Sequence, residues 1–300
     1  MTRRPWCSGG LAIALASNLP AQGILDVLDG ETLYTGGFLA TLGLELDRSD
    51  QLRRGTNTIA DPDAGHERSL TGTLALQYGL RHDLQVGIAF EFADHERRST
   101  GGAEAAEGLG DVHLLGKWRF LRLDGKARAT NFALITEVSL PTGEDDATTG
   151  GNRLEPELQP GSGGVDPALG VGITHEPGRW RFNAAVLHQW HIDSDGDDHR
   201  LGNGLVAELT GGNRFWLEPY PGPFMRADLS VRWYHEDQAR MGAFLPDSGG
   251  ERATVGVNWA FRPRPSLDFQ IGVETPFWQD VDGTQLGHDW SIDLTFGYRF

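Results

Sequence analysis

The sequence predicts an all-β chain, a transmembrane antiparallel β-barrel of about twelve strands with short periplasmic turns and long extracellular loops. Three observations carry this. Apolar and polar residues alternate with period two from Thr32 to the C-terminus. Aromatic residues gather at the ends of the alternating segments, where an interface rewards a ring with one wet edge. After the first twenty-odd residues no run approaches the roughly 18 to 20 apolar residues of a membrane-spanning helix, so any crossing must use strands.

The N-terminus has the form of an export signal. Arg3 and Arg4 make a basic start, residues 10–19 an apolar stretch, and Ala21-Gln22-Gly23 a small-residue cleavage site. Residues 1–23 are expected to be a signal peptide and residues 24–300 the outer-membrane β-barrel domain. Cleavage after Ala16 is the alternative. The single cysteine, Cys7, precedes the apolar stretch and would leave with the signal, which suits an oxidising compartment and excludes thiol catalysis. A net charge of −16 repels phosphate backbones and excludes nucleic acid as a partner.

The first strand, over residues 38–44, alternates less cleanly than the second, over 69–81. There Leu70, Gly72, Leu74, Leu76, Tyr78 and Leu80 form one face, and the other holds no large apolar side chain. The same split recurs over 84–93, 112–120, 132–140, 165–173 and 180–192, then, after a weaker segment at 205–209, over 225–233, 253–261, 267–275 and 290–300. The count is even, as a single-chain barrel with both ends on one side requires. Tight links at 81–83, 175–178 and 262–265 alternate with long ones at 47–66, 141–164 and 237–250. A soluble β-sandwich shares period two, but its core does not call for aromatics at strand ends. Trp118, Phe120, Trp180, Trp259, Phe261 and Tyr298 fall at the periplasmic end, and Trp190, Trp233 and Trp290 at the other. The last strand alternates without a miss and finishes on Phe300, similar to the C-terminal signal by which the barrel assembly machinery recognises its clients.

The motifs Gly108-Leu-Gly110-Asp111-Val112, Lys117-Trp118-Arg119-Phe120, Leu140-Pro141-Thr142-Gly143, Gly161-Ser-Gly163 and Gly297-Tyr298-Arg299-Phe300 follow in order. Their order and spacing, over the last two thirds of the chain, resemble the outer-membrane transporter family named for a pathway of phenol degradation. That family is similar to the barrels that export functional amyloid subunits. The resemblance implies passage of small, aromatic or hydrophobic molecules across the outer membrane. The amyloid exporters carry a helical periplasmic segment before the barrel, and residues 24–31 leave no room for one.

The polar face supplies the candidate lumen residues Arg81, Glu91, Asp111, Lys117, Arg119, Glu137, Glu208, Asp228, Arg232 and Glu274, with His113, Asp166, Asp268 and Asp293 on the same face. Either these charges pair across the lumen and plug it, or they line a selective channel. No cofactor is expected, nor a metal site: the acidic run from Asp193 to His199 lacks the glycine and terminal acid of a calcium loop. His188 and His191 fall on opposite strand faces and cannot chelate together. Nor does His191-Ile-Asp-Ser194 reproduce the His-x-Ser of outer-membrane phospholipase, so no enzyme is expected. The expected role is a channel or transporter for small molecules, the alternative a plugged structural or surface-binding barrel whose acidic loops meet ligands. Outer-membrane lipid and lipopolysaccharide are the expected surroundings.

Overall fold

A computed structural model describes residues 28–192 and 199–300. The expected signal peptide, Cys7 and the acidic run 193–198 lie outside them. Twelve long strands make one antiparallel sheet: β1 (Phe38–Ser49), β2 (His66–Arg81), β3 (Leu84–Ser99), β4 (Gly102–Gly125), β5 (Arg128–Leu140), β6 (Asp166–Pro177), β7 (Trp180–Gln189), β8 (Gly204–Leu217), β9 (Phe224–Glu236), β10 (Gly250–Arg264), β11 (Leu267–Gly287) and β12 (Trp290–Arg299). Each pairs with its neighbour in sequence. β1 also pairs with β12, from Leu39 opposite Arg299 to Arg48 opposite Trp290, so the sheet closes and leaves no bare edge along the barrel wall. The closure is sealed at the rim by Phe38 N to Phe300 O at 2.9 Å and Phe300 N to Phe38 O at 3.1 Å.

The alternation places side chains as the sequence requires. Leu74 and Phe296 are 55% and 37% exposed on the outside, while Thr73, Ala75 and Gln77 between them point inward and are buried. A barrel that shows its large apolar residues to its surroundings needs hydrocarbon there. Rings pack along the periplasmic girdle in two runs: Trp259 stacks on Phe261, Phe261 on Phe269 and Phe269 packs on Phe296, while Phe300 stacks on Phe38 and Tyr298.

Several strands run past the ends that alternation marks. β3 reaches Ser99 and β4 starts at Gly102, so residues 94–111, between two expected strands, are a continuous hairpin. β11 continues to Gly287, and its far end pairs with a short strand, Gln51–Gly55. Beyond the membrane no lipid requires the outer face to be apolar, so the backbone ladder persists where the sequence alternation fades. At the same rim, residues 141–165 do not stand outward; they turn into the barrel.

Candidate functional site

The barrel interior is occupied from both ends. From the periplasmic rim, the segment before β1 runs inward. Asp29 is buried between two cations, with Lys117 Nζ at 2.7 Å and an Arg181 guanidinium nitrogen at 2.6 Å. Gly30 N donates to Thr174 Oγ1 at 2.9 Å and Leu33 N to Gln85 Oε1 at 2.8 Å. Leu28 packs on the buried side chains of Ile135, Ala168, Leu187, Val206 and Tyr234. The segment lies directly against the wall: a Cβ on Gly172 would stand 2.7 Å from the Asp29 carbonyl oxygen.

From the extracellular rim comes the loop between β5 and β6. It makes a small hairpin (Thr148–Thr149 with Asn152–Arg153) and one turn of 3-10 helix, Pro156–Leu158. Glu157, Leu158 and Gln159 are all but inaccessible. Leu154 and Leu158 pack with Ala106 of the β3–β4 hairpin. Arg97 donates to Glu155 at 2.7 Å and to Glu67 at 3.0 Å, and His199 Nε2 meets the Leu154 carbonyl oxygen at 2.9 Å. Burial, outweighing that hydrogen bond, lowers the His199 pKa, which favours the neutral ring.

Most of the lumen residues expected from sequence are buried inside the barrel, in separate clusters. Arg232 bridges Glu208, at 2.6 Å, and Glu274, which also accepts from Tyr234 Oη at 3.2 Å. His113 lies between Glu137 at 2.9 Å and Glu91 at 3.6 Å. Asp228 holds Arg226 at 2.8 Å, and Lys117 holds Asp29. Arg81 and Arg119 lie apart from this set, at the exposed turn between β2 and β3: Arg81 pairs with Asp83 at 2.8 Å and Arg119 donates to the His82 carbonyl. His188 packs edge-on against Trp190 outside while His191 faces Asp166 inside at 2.9 Å, the opposite faces that strand geometry dictates. Asp29, Arg97 and Glu155 escaped the sequence reading because they sit in segments without alternation or beyond its end, whereas Arg181 lies on the polar face of the alternating segment 180–192 and was not singled out there.

Asp111 has a different kind of partner. Its Oδ1 accepts from the backbone N–H groups of Thr142 (3.1 Å) and Gly143 (2.8 Å), and its Oδ2 from Ser162 N (2.9 Å) and Ser162 Oγ (2.7 Å). Beneath the loop, a cavity of about 30 Å³ lined by Asp111, His113, Asp166, Gln189 and His191 has room for about one water. Above it, a vestibule of about 520 Å³ lined by Arg200, Asn203, His235, Arg240 and Phe244 opens outward. Among the described residues no group of three His, Cys, Asp or Glu side chains is arranged to hold a metal ion.

Comparison with known proteins agrees with this architecture. The family profile described as "Putative MetA-pathway of phenol degradation" matches residues 36–287. The COG4313 outer membrane channel from Pseudomonas putida F1 superposes with a TM-score of 0.68 at 17% identity, covering 91% of this chain and 98% of that one. The β domain of the Bordetella autotransporter BrkA gives 0.48 at 12% identity, over 88% and 100% of the two chains. No curated protein matches the sequence. The fold is that of an outer-membrane β-barrel.

Proposed function

The chain belongs to the family described by the MetA pathway of phenol degradation, and from that premise we propose that it is an outer-membrane channel for small molecules, aromatic or hydrophobic ones among them, seen in a constricted state. One observation carries the reading: two segments outside the barrel wall enter the lumen and are tied to that wall by buried polar contacts, with Leu28, Leu154 and Leu158 as their apolar anchors. Such segments can leave without unmaking the barrel. The similarity to a protein named as an outer membrane channel supports the reading. Glu91, Asp111, Lys117, Glu137, Glu208, Asp228, Arg232 and Glu274 are then the charges a solute meets, and Phe300, its ring exposed at the rim, is what the assembly machinery would take hold of.

Single-channel recording in planar bilayers tests this. Discrete conductance is expected from the wild type, and a larger one after deletion of residues 142–161; silence from both under all conditions would overturn the channel. A second reading, a plugged surface-binding barrel, draws on the vestibule and the outward hairpins. It predicts instead that the deletion abolishes ligand binding and leaves the barrel silent.

A further inference from the structure

Three of the sequence motifs, 108–112, 140–143 and 161–163, lie up to fifty-odd residues apart and have no chemistry of their own. In space they meet at one carboxylate. We infer that Asp111 is the positioning residue of the constriction: its two oxygens clasp the two stalks of the loop between β5 and β6 and so hold Pro156–Leu158 inside the barrel. For pore calibre the inference rests on the channel reading; for the position of the loop it does not.

The geometry divides the work between the oxygens. Oδ1 takes the descending stalk through Thr142 N and Gly143 N, and Oδ2 takes the returning stalk through Ser162 N and Oγ, with Ser139 Oγ of β5 at 3.4 Å. A carboxylate accepts at both oxygens and donates at neither, so in a site 5% exposed it satisfies the Gly143 and Ser162 N–H groups, and it shares Thr142 N with the Leu140 carbonyl oxygen, 2.7 Å away. The glycines bring the stalks close enough. A Cβ on Gly143 would stand 2.7 Å from Gly161 Cα and from the Gly110 carbonyl carbon, so three backbones cross in contact. Gly161 N donates to Glu144 O at 2.8 Å and Glu144 N to Leu109 O at 2.9 Å, tying stalk to stalk and stalk to β4. At the far end the loop depends on Arg97 with Glu155 and on Leu154 and Leu158 against Ala106. Those contacts hold the tip only while the base aims it.

Asparagine is the informative substitution, because its amide nitrogen presents hydrogens where one stalk already presents hydrogens. Asp111→Asn should keep one stalk and lose the other; Asp111→Ala should lose both.

Leu158→Cys in refolded protein lacking residues 1–23, which contains no other cysteine, reports the loop through its reaction with a bulky impermeant maleimide. Labelling is expected to be slow with Asp111 in place, at least ten-fold faster with Asp111→Ala, and intermediate with Asp111→Asn, the barrel remaining heat-modifiable in gels. In parallel, without the reporter cysteine, single-channel conductance should rise several-fold with Asp111→Ala. It should fall again when a Thr142→Cys and Ser162→Cys pair in that background is oxidised across the stalks. Unchanged labelling in a heat-modifiable Asp111→Ala barrel overturns the clasp whether or not the protein conducts. Faster labelling with no conductance in any variant supports the clasp and counts against the channel. Should Asp111→Ala fail to assemble, unchanged labelling in Asp111→Asn overturns the inference equally.

Discussion

At the scale of single residues, burial in this protein has two opposite meanings, set by which side of the wall a side chain takes. Leu74 lies on the lipid side opposite Phe90 and Leu42. Leu74→Arg is expected to cost about 2–4 kcal/mol near the bilayer midplane, whereas Thr71→Arg, half-buried and three residues away on the lumen side, should cost far less. Equal unfolding free energies for the two in reversible denaturation from bilayers would contradict the face assignment. Asp29 shows the other meaning: its carboxylate neutralises Lys117 and Arg181 inside the barrel. Removing one member of a buried charge set costs about 3–5 kcal/mol because the partners stay buried. The strain falls on a short segment that can withdraw, so Asp29→Ala should release the residues before β1 and not unfold the sheet. Protease added from the periplasmic side should then cut before Phe38 in the variant and spare the wild type, with bilayer conductance rising in step.

At the scale of elements, the inward loop should respond to pH through Glu157. Burial first, then the nearby Glu236, Glu155 and Glu67 against the single opposing charge of Arg97, hold its carboxyl well above the usual carboxylate range. The docked loop therefore keeps a proton that a free loop would release. Docking is fully supported below the ordinary carboxylate range and weakens as pH rises toward the raised value. The expected outcome is easier release on the alkaline side, read as a rise in open probability with pH, and a docked, pH-flat loop in Glu157→Gln. A variant as pH-dependent as the wild type would remove Glu157 from the account. Much of this element escaped the sequence for a physical reason. Lipid imposes alternation on a strand because one face must be apolar, so all twelve strands were legible and Leu74, Trp259 and Phe296 fell on the correct side. Nothing imposes a pattern on a loop that enters a polar lumen, and residues 141–164 have the Pro, Gly and acidic content of any external loop. Leu154 and Leu158 were the only apolar hint, and the Asp111 motif was visible as a pattern without its purpose. The hairpin over residues 94–111 was missed for a related reason, since no lipid requires its outer face to be apolar, while its inner face buries His95, Arg97 and Ala106 without an apolar pattern to mark it.

At the scale of the whole molecule, the acidic balance noted in the sequence has a specific internal location. Glu45, Asp47, Glu208, Glu274 and Asp293 face one side of the lumen, answered there by Arg232 and Arg252. Elsewhere around the lumen Lys117 and Arg181 offset Asp29, Glu31 and Glu176 locally, and Glu91, Asp111, Glu137 and Asp166 add further carboxylates. A narrow path with low-dielectric walls focuses the field of its lining charges, so an excess of carboxylates raises the local concentration of cations and depletes anions. The channel, once its two obstructing segments move aside, should therefore prefer potassium to chloride. The preference should be strongest in dilute salt and fade near 1 M, where the screening length shrinks to about 3 Å. Reversal potentials across a potassium chloride gradient measure it directly. Glu274→Gln combined with Asp293→Asn should move the potential toward zero, while Asp83→Asn, a change of the same sign at an exposed periplasmic turn, should leave it nearly unmoved. Anion preference in the wild type would mean that ions bypass the acidic wall, and the route would then have to run along the side where Lys117 and Arg181 hold the N-terminal segment.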